Sequence, residues 1–273
     1  MQSGVFALLA GAGIPIRVSE RSYRPQISLP GWTVKLLKPQ NIIEMLHHGS
    51  RDVGFAGADW VEEFDHDLVE LLDTGLDPVK LVVAAPMTLL DQDNLPQRNI
   101  TLATEYPRLS ARWAKRKGVD ATIVRTYGAT EVFPPEDADA IMDNTSTGST
   151  LRANGLSIVD TVLESSTRLY ASRRALENTD VRDRIEDFVL MLRSVLEARS
   201  RVMIEMNIEK SQLDALVDVL PSMRKPTIAS LLGETGYAVK VAVPRERLAQ
   251  LVPQIRACGG TDIVVVSPSQ ILP

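Results

Sequence analysis

Five hydroxyl-bearing residues surround one glycine in the run DNTSTGSTLRANG (143–155): Thr145, Ser146, Thr147, Ser149 and Thr150, about Gly148. A helix-like LRAN follows at once. The first turn of a helix carries N–H groups with no intrahelical partner at its partly positive end. Successive N–H groups in a glycine-bearing turn form a nest for oxyanions, and Ser and Thr add donors without bulk. That chemistry is phosphate binding; the same residues also suit an ordinary Ser/Thr helix cap that holds no ligand. Upstream, DADAIMD (137–143) reads as a short buried strand with Asp139 and Asp143 at its two ends. Carboxylates accept hydrogen bonds from ribose hydroxyls, or approach a Mg²⁺ held by phosphate oxygens. A strand ending in a carboxylate, then a hydroxyl-rich turn, then a helix suits a phosphorylated sugar whose 5′-phosphate sits in the turn. There is no GxxxxGK[ST], and AGAGIP (10–15) runs into a strand-like IPIRV rather than a helix, so neither common nucleotide fingerprint competes.

The elements that must hold this run in place come next. WTVKLL (32–37) reads as a strand, PQNIIEMLHHG (39–49) as a helix, and DVGFAG (52–57) as a strand before ADWVEEF. VELLD (69–73), VKLVVAAP (79–86), ITLAT (100–104) and ATIVR (121–125) read as further strands. PRLSARWAKRKG (107–118) is a helix stopped by glycine. Such alternation predicts an α/β fold with mostly parallel sheets. The polar stretch at 87–99 reads as a hinge or boundary, which predicts two lobes with a cleft between them. Residues 177–200 read as one long helix with Phe188, Met191, Leu192, Val195 and Leu196 on a packing stripe.

Beyond Arg201 the pattern becomes β-α-β-β-α-β: VMIEMN, KSQLDALVDVL, TIASLL, YAVKVAV, RERLAQLVPQIRACGG with a perturbing Pro253, and DIVVVSP. This is the ferredoxin-like unit. It carries seven basic and seven acidic residues, so the preceding part carries the whole net charge of −5. No catalytic motif falls in it, which suits ligand sensing or assembly.

Composition narrows the function classes. With 44% apolar and 24% charged residues the chain has a soluble globular balance. An acidic chain is not a nucleic-acid binder, and any polyanionic substrate needs local cations or N–H groups. One cysteine, Cys258, precludes an internal disulfide and fits a reducing cytoplasm. His47, His48 and His66 have no metal-ligand spacing and are expected at the surface. The apolar run at 5–16 is too short to span a membrane and has no basic residue before it, so no export signal is expected.

ADAIMDNTSTGSTLRANGL resembles the phosphoribosyl-pyrophosphate loop of the ATP phosphoribosyltransferases, which catalyse the first step of histidine biosynthesis. LLKPQNI, DVGFAGADWVEE, LATEYPRL, YGATEVFPPEDADAI, LPSMRKPTIASLLGETGYAVKVAVP and GGTDIVV resemble that family in the same order, over nearly the whole chain. The family implies a periplasmic-binding-protein-like catalytic part of two lobes and the ferredoxin-like regulatory domain of the long form. The corresponding boundaries are 1–87 with 168–201 for lobe I, 88–167 for lobe II, and 202–273 for the regulatory domain. It implies attack by N1 of ATP on the anomeric carbon of phosphoribosyl pyrophosphate, with Mg²⁺ bridging the departing pyrophosphate.

Carried over by motif, the loop 145–150 holds the 5′-phosphate and Asp139 and Asp143 face the ribose, with Glu131 near the same sugar. Gly57 and Asp59 border the adenine-nucleotide side, though Asp59 also reads as a helix cap. The family places Arg at Lys38 and Asp at Asn41; a Lys lacks the bidentate fork, which weakens oxygen contacts there. L-Histidine is the implied inhibitor, with Asn207 and Thr227 lining its site, in a homo-oligomer (dimer or hexamer) that binds neither nucleic acid nor membrane. Members of the family open with a strand and a Lys-Gly-Arg turn before the helix that here follows Met1. The expectation is that about 10 upstream residues complete the first lobe, or that Lys35, Lys38 or Arg17 replaces the cation pair. The rival classes are a two-lobed binding protein and a catalytically silent paralogue.

Overall fold

The computed structural model describes residues 1–18, 23–92, 94–221, 225–233 and 235–272. Among these residues the chain opens with α1 (Gln2–Gly11), the two-residue strands β1 (Ile16–Arg17) and β2 (Gln26–Ile27), and α2 (Pro39–His47). Next come β3 (Val53–Gly57), α3 (Ala58–Phe64), the long β4 (Leu68–Pro86), β5 (Ile100–Thr104), α4 (Pro107–Lys117) and β6 (Ala121–Arg125). β7 (Ala140–Thr145), α5 (Ser149–Ala153), the long β8 (Leu156–Ser172), α6 (Arg173–Glu177) and α7 (Thr179–Ser200) complete that part. The chain closes with β9 (Arg201–Glu209), α8 (Leu213–Val219), β10 (Thr227–Ser230), β11 (Gly236–Pro244), α9 (Leu248–Ala257) and β12 (Thr261–Val266).

Two compact units result: Met1–Val5, Val18–Pro25 and Thr33–Glu186 form the first, and Phe6–Arg17, Gln26–Trp32 and Asp187–Pro273 the second. The first unit is built on one sheet of order β3-β8-β4-β7-β5-β6. The expectation of mostly parallel strands is corrected. β3–β8, β8–β4 and β4–β7 pair antiparallel, and only β5 pairs parallel, with β6 and β7. Two of the antiparallel pairings come from β8, which returns late in the chain and inserts between β3 and β4. Likewise VELLD and VKLVVAAP are one strand of 19 residues.

β4 and β8 run through both lobes. At one end, α2 and α3 pack Ile43, Leu46, Ala56 and Tyr170 into a core. At the other, Leu81, Val83, Leu102 and Met142 lie under Leu109 and Trp113 of α4, and Val82, Ala84 and Ile141 face Leu151 of α5. Between the ends the β4–β8 ladder shifts register between Asp73 and Leu76 and again between Leu76 and Val79. There Gly75 (φ 62) and Asp77 (φ 48) take left-handed backbone.

WTVKLL does not form a strand. Residues 32–36 alternate half-buried and exposed, as a strand would, but no described neighbour pairs with them in a ladder. The helix expected at 177–200 begins at Thr179; Asn178 interrupts it, and its side chain accepts from the Val181 N–H. His66 is half-buried rather than a surface residue. Its ring stacks on His47 at 3.8 Å, with its Nε2 3.6 Å from the Glu44 carboxylate.

In the second unit the stripe on α7 is buried at Phe188, Leu192 and Val195. The Phe188 ring lies 4.8 Å from Trp32, Gly11 abuts Val195, and the Ile271 N–H donates to the Ser194 carbonyl. The sheet order β10-β11-β9-β12, antiparallel throughout, is the ferredoxin-like arrangement. α8 and α9 cover the face carrying Val202, Ile204, Met206, Val239 and Val241, and α9 continues through Pro253. No described helix is long and apolar enough to cross a membrane.

Candidate active site

β7 delivers the hydroxyl-rich turn at its C-terminal end, beside the parallel strand β5. Parallel strands bind ligands at that end. Gly148 is the N-cap of α5 with φ 71, a left-handed value that only glycine adopts without strain. The Gly148 N–H donates to Thr145 Oγ1 at 2.9 Å, and the Thr147 hydroxyl donates to Ser149 Oγ at 3.0 Å. Thr145 is half-buried, whereas Ser146, Thr147, Ser149 and Thr150 are exposed. A Cβ on Gly148 would sit 3.0 Å from Arg152 Nη1. Arg152 thus places a guanidinium over the turn. Sequence reasoning passed over it, although it lies four residues after Gly148, on the same helical face.

Asp143 lies at the base of the turn. Burial pushes its carboxyl up to about 6, the neighbouring Glu105 and Glu131 carboxylates add to this, and bonds from the Asn144 N–H and the Thr130 hydroxyl oppose it. The structure therefore brings Asp143, Glu131 and the loop 145–150 together, and adds Glu105. It does not bring Asp139 to them. Asp139 precedes β7, four residues or about 13 Å of strand away. Its carboxylate is held by both terminal nitrogens of Arg98, at 2.7 and 3.2 Å, and by the Thr101 N–H, which keep it below the usual carboxylate range.

Asp59 is buried in the first turn of α3. Its Oδ1 accepts from the Ser165 hydroxyl at 2.6 Å and its Oδ2 from the Tyr106 hydroxyl at 2.6 Å. Tyr106 Oη in turn accepts from Asn144 Nδ2 at 2.8 Å. This chain of bonds ties α3 to the residue just before the turn. Gly57 makes room for it, since a Cβ there would collide with Asp59 Oδ1. Burial and the adjacent Asp59 carboxylate keep the Tyr106 phenol protonated far above its ordinary value. Tyr106 lies within LATEYPRL, where nothing local in the sequence reveals a partner 47 residues away.

Lys38 is exposed at the N-cap position of α2, and no described contact ties it to the turn. Asn207 donates to Asp262 Oδ2 at 2.9 Å. Thr227 pairs with Lys240 and Lys240 with Glu205, two residues before Asn207 on β9. Directly paired residues share a face. Asn207 and Thr227 therefore lie on the sheet face opposite α8 and α9, with Thr227 in the cross-strand row of the Lys240–Glu205 ion pair and Asn207 two residues further along β9.

The geometry is that of a hydroxyl-rich turn at a helix start beside a carboxylate cluster. The family model for ATP phosphoribosyltransferase (HisG) matches residues 38–194, and the model for the HisG C-terminal domain matches 198–268. The chain belongs to the ATP phosphoribosyltransferase family. It is 33% identical to the ATP phosphoribosyltransferase of Pelotomaculum thermopropionicum over the whole chain and 96% of that protein. To that of Chlorobaculum parvum it is 35% identical, over 96% of this chain and 91% of that one. Among solved structures, a chain of the ATP phosphoribosyl transferase (HisG:HisZ) complex from Thermotoga maritima superposes with a TM-score of 0.63 at 25% identity, covering 71% of this chain and 93% of its own.

Proposed function

We propose that this chain transfers the 5-phosphoribosyl group of phosphoribosyl pyrophosphate to N1 of ATP, the first step of histidine biosynthesis. The observation that carries the reading is the left-handed Gly148 N-cap inside a hydroxyl turn, with Asp143 at its base. N1 of adenine bonds to the anomeric carbon while the bond from that carbon to the pyrophosphate oxygen breaks. No protein nucleophile is required, so the residues act by positioning and by electrostatics.

The N–H groups and hydroxyls of 145–150, with Arg152, hold the 5′-phosphate. Asp143 and Glu131 hydrogen-bond the ribose hydroxyls and face the positive charge that develops on the ring. The Asp59–Tyr106–Asn144 chain holds the turn against α3.

The residues fit Mg²⁺ in a limited sense. Mg²⁺ takes one or two carboxylates plus substrate oxygens and waters. Asp143 with Glu131 or Glu105 offers that, and no group of three or more His, Cys, Asp or Glu among the described residues is arranged to hold a metal. The ion would supply charge neutralisation to the leaving pyrophosphate.

In the ferredoxin-like domain the shared face of Asn207 and Thr227 receives L-histidine as inhibitor. The chain works as a homo-oligomer: Val264 and Val266 stand 51% and 46% exposed on the edge strand β12, a surface that a second copy would cover. Incubating the purified chain with ATP, phosphoribosyl pyrophosphate and Mg²⁺ tests the catalytic reading. Stoichiometric phosphoribosyl-ATP and pyrophosphate are expected. A well-folded chain that binds both substrates and forms no product would be a silent paralogue.

A further inference from the structure

The loop that follows β6 contains a side chain that the phosphate turn does not explain. Tyr127 is 84% exposed, an unusual state for a large aromatic ring. It stands on an arch closed at its base. The Thr126 N–H donates to the Thr104 carbonyl at 2.8 Å, and the buried Thr126 and Thr130 hydroxyls are 2.8 Å apart. The three residues between them turn back through Gly128 (φ 102) and Ala129 (φ 49). The ring is therefore held out on a fixed support. The Arg125 guanidinium lies 5.3 Å from the ring centroid.

The position of the arch matters more than its shape. Thr130 hydrogen-bonds Asp143. Tyr127, three residues earlier, lies at most about 11 Å of chain from it. On its other side Arg125 is within electrostatic reach of Glu63 on α3. The ring thus follows β6 at the C-terminal, ligand-binding end of the parallel strands, two residues after Arg125 and three before Thr130. Asp59, the residue expected to meet the adenine nucleotide, already spends both oxygens on Ser165 and Tyr106.

We propose that Tyr127, flanked by Arg125, is a stacking platform for the adenine base of the acceptor nucleotide. A purine offers a π-face to the ring and phosphates to the guanidinium, and neither group of the sugar donor needs an aromatic surface. This assignment rests on the phosphoribosyl-transfer reading for the identity of the nucleotide.

Adenosine, the base without phosphates, is the probe. Its binding to the full chain is followed by ligand-observed NMR for wild type, Tyr127→Ala, Tyr127→Phe and Tyr127→Trp, beside KM values for both substrates. Loss of a base–aromatic stack weakens binding roughly tenfold or more. In Tyr127→Ala the KM for ATP rises by that factor, the KM for phosphoribosyl pyrophosphate stays within about twofold, and Phe and Trp keep wild-type values, since each retains a π-face.

If wild type turns nothing over while Tyr127→Ala alone loses adenosine, the platform stands and the catalytic reading falls. Unchanged adenosine binding in Tyr127→Ala overturns the platform while a turning-over wild type keeps the reading. An equal rise in both KM values in all three variants also overturns it, because the arch would then be structural. So does a changed oligomeric state with adenosine binding intact, which assigns the ring to a second copy of the chain.

Discussion

At the scale of single residues, Gly148 and Asp143 make opposite demands. Gly148 has a backbone conformation that a branched side chain resists, and Arg152 occupies the space above it. Gly148→Val is expected to keep its circular dichroism and lose phosphoribosyl-pyrophosphate binding by more than about tenfold in calorimetry. Asp143 is costly to ionise. A carboxyl raised to about 6 in the folded chain binds its proton more tightly there than when unfolded. Stability is therefore lost as pH rises from the unfolded value near 4 through 6, and the whole cost is present above that. Asp143→Asn should raise unfolding free energy at pH 7.5 by up to about 3 kcal/mol and change it little at pH 4, as paired urea titrations would show. The turn and Asp143 were legible in the sequence because their chemistry is contiguous. Asp139 was not, because a strand carries its two ends to opposite edges of a sheet. Tyr106 and Ser165 were not, because their partner lies across the sheet.

At the scale of elements, α4 shows how the lobes are joined. Pro107 starts it and the left-handed Gly118 stops it, as the sequence indicated. Its N-cap residue, Tyr106, has no capping side-chain bond. Glu63 of α3 does that work, accepting the Arg108 and Leu109 N–H groups at 2.9 Å each while buried. Glu63→Ala would leave two N–H groups buried without partners. It is expected to cost about 1–3 kcal/mol in chemical denaturation, with Glu63→Gln losing less. Strand direction was less legible than helix ends. Alternating strands and helices imply parallel neighbours only when no later strand intrudes, and β8 does so. The run at 32–37 has strand-like alternation, but alternation alone does not specify a ladder, and the Leu36 N–H donates to the Tyr23 carbonyl instead.

At the scale of the whole molecule, the compact unit that holds the ferredoxin-like sheet is larger than that sheet and its two helices. The unit containing the ferredoxin-like sheet also takes in the second half of α7 and segments from the start of the chain. Gln270 reaches back to the Gly11 carbonyl, and Ile271 to Ser194. A chain cut at Arg201 is therefore expected to melt well below wild type in scanning calorimetry, since α1 loses the bond from Gln270 and α7 the bond from Ile271. That cut would confuse lost regulation with lost folding. Asn207→Ala separates the two: it gives up one bond to Asp262 at a partly exposed position. Its melting temperature should stay within a few degrees of wild type, while histidine inhibition in the turnover assay falls by about tenfold or more, the scale of a typical coupling free energy.

The two strands that cross both lobes also set how the cleft can breathe. With β4 and β8 bonded along nearly their whole length, the lobes have no loose linker between them. Any opening is a bend of two paired ribbons, and it concentrates where the register slips between Asp73 and Val79. Amides there lack regular ladder partners and should trade their protons for deuterium first. Those at 80–84, bonded to β7 in unbroken register on one side although the β8 side slips at Leu81/Val82 and Val83/Ala84, should hold theirs longest. The enzyme is then a leaf spring rather than a hinge. Its closing motion would be small in amplitude and elastic, and a bound substrate pair would register as slower exchange at the slip, well away from the atoms that react.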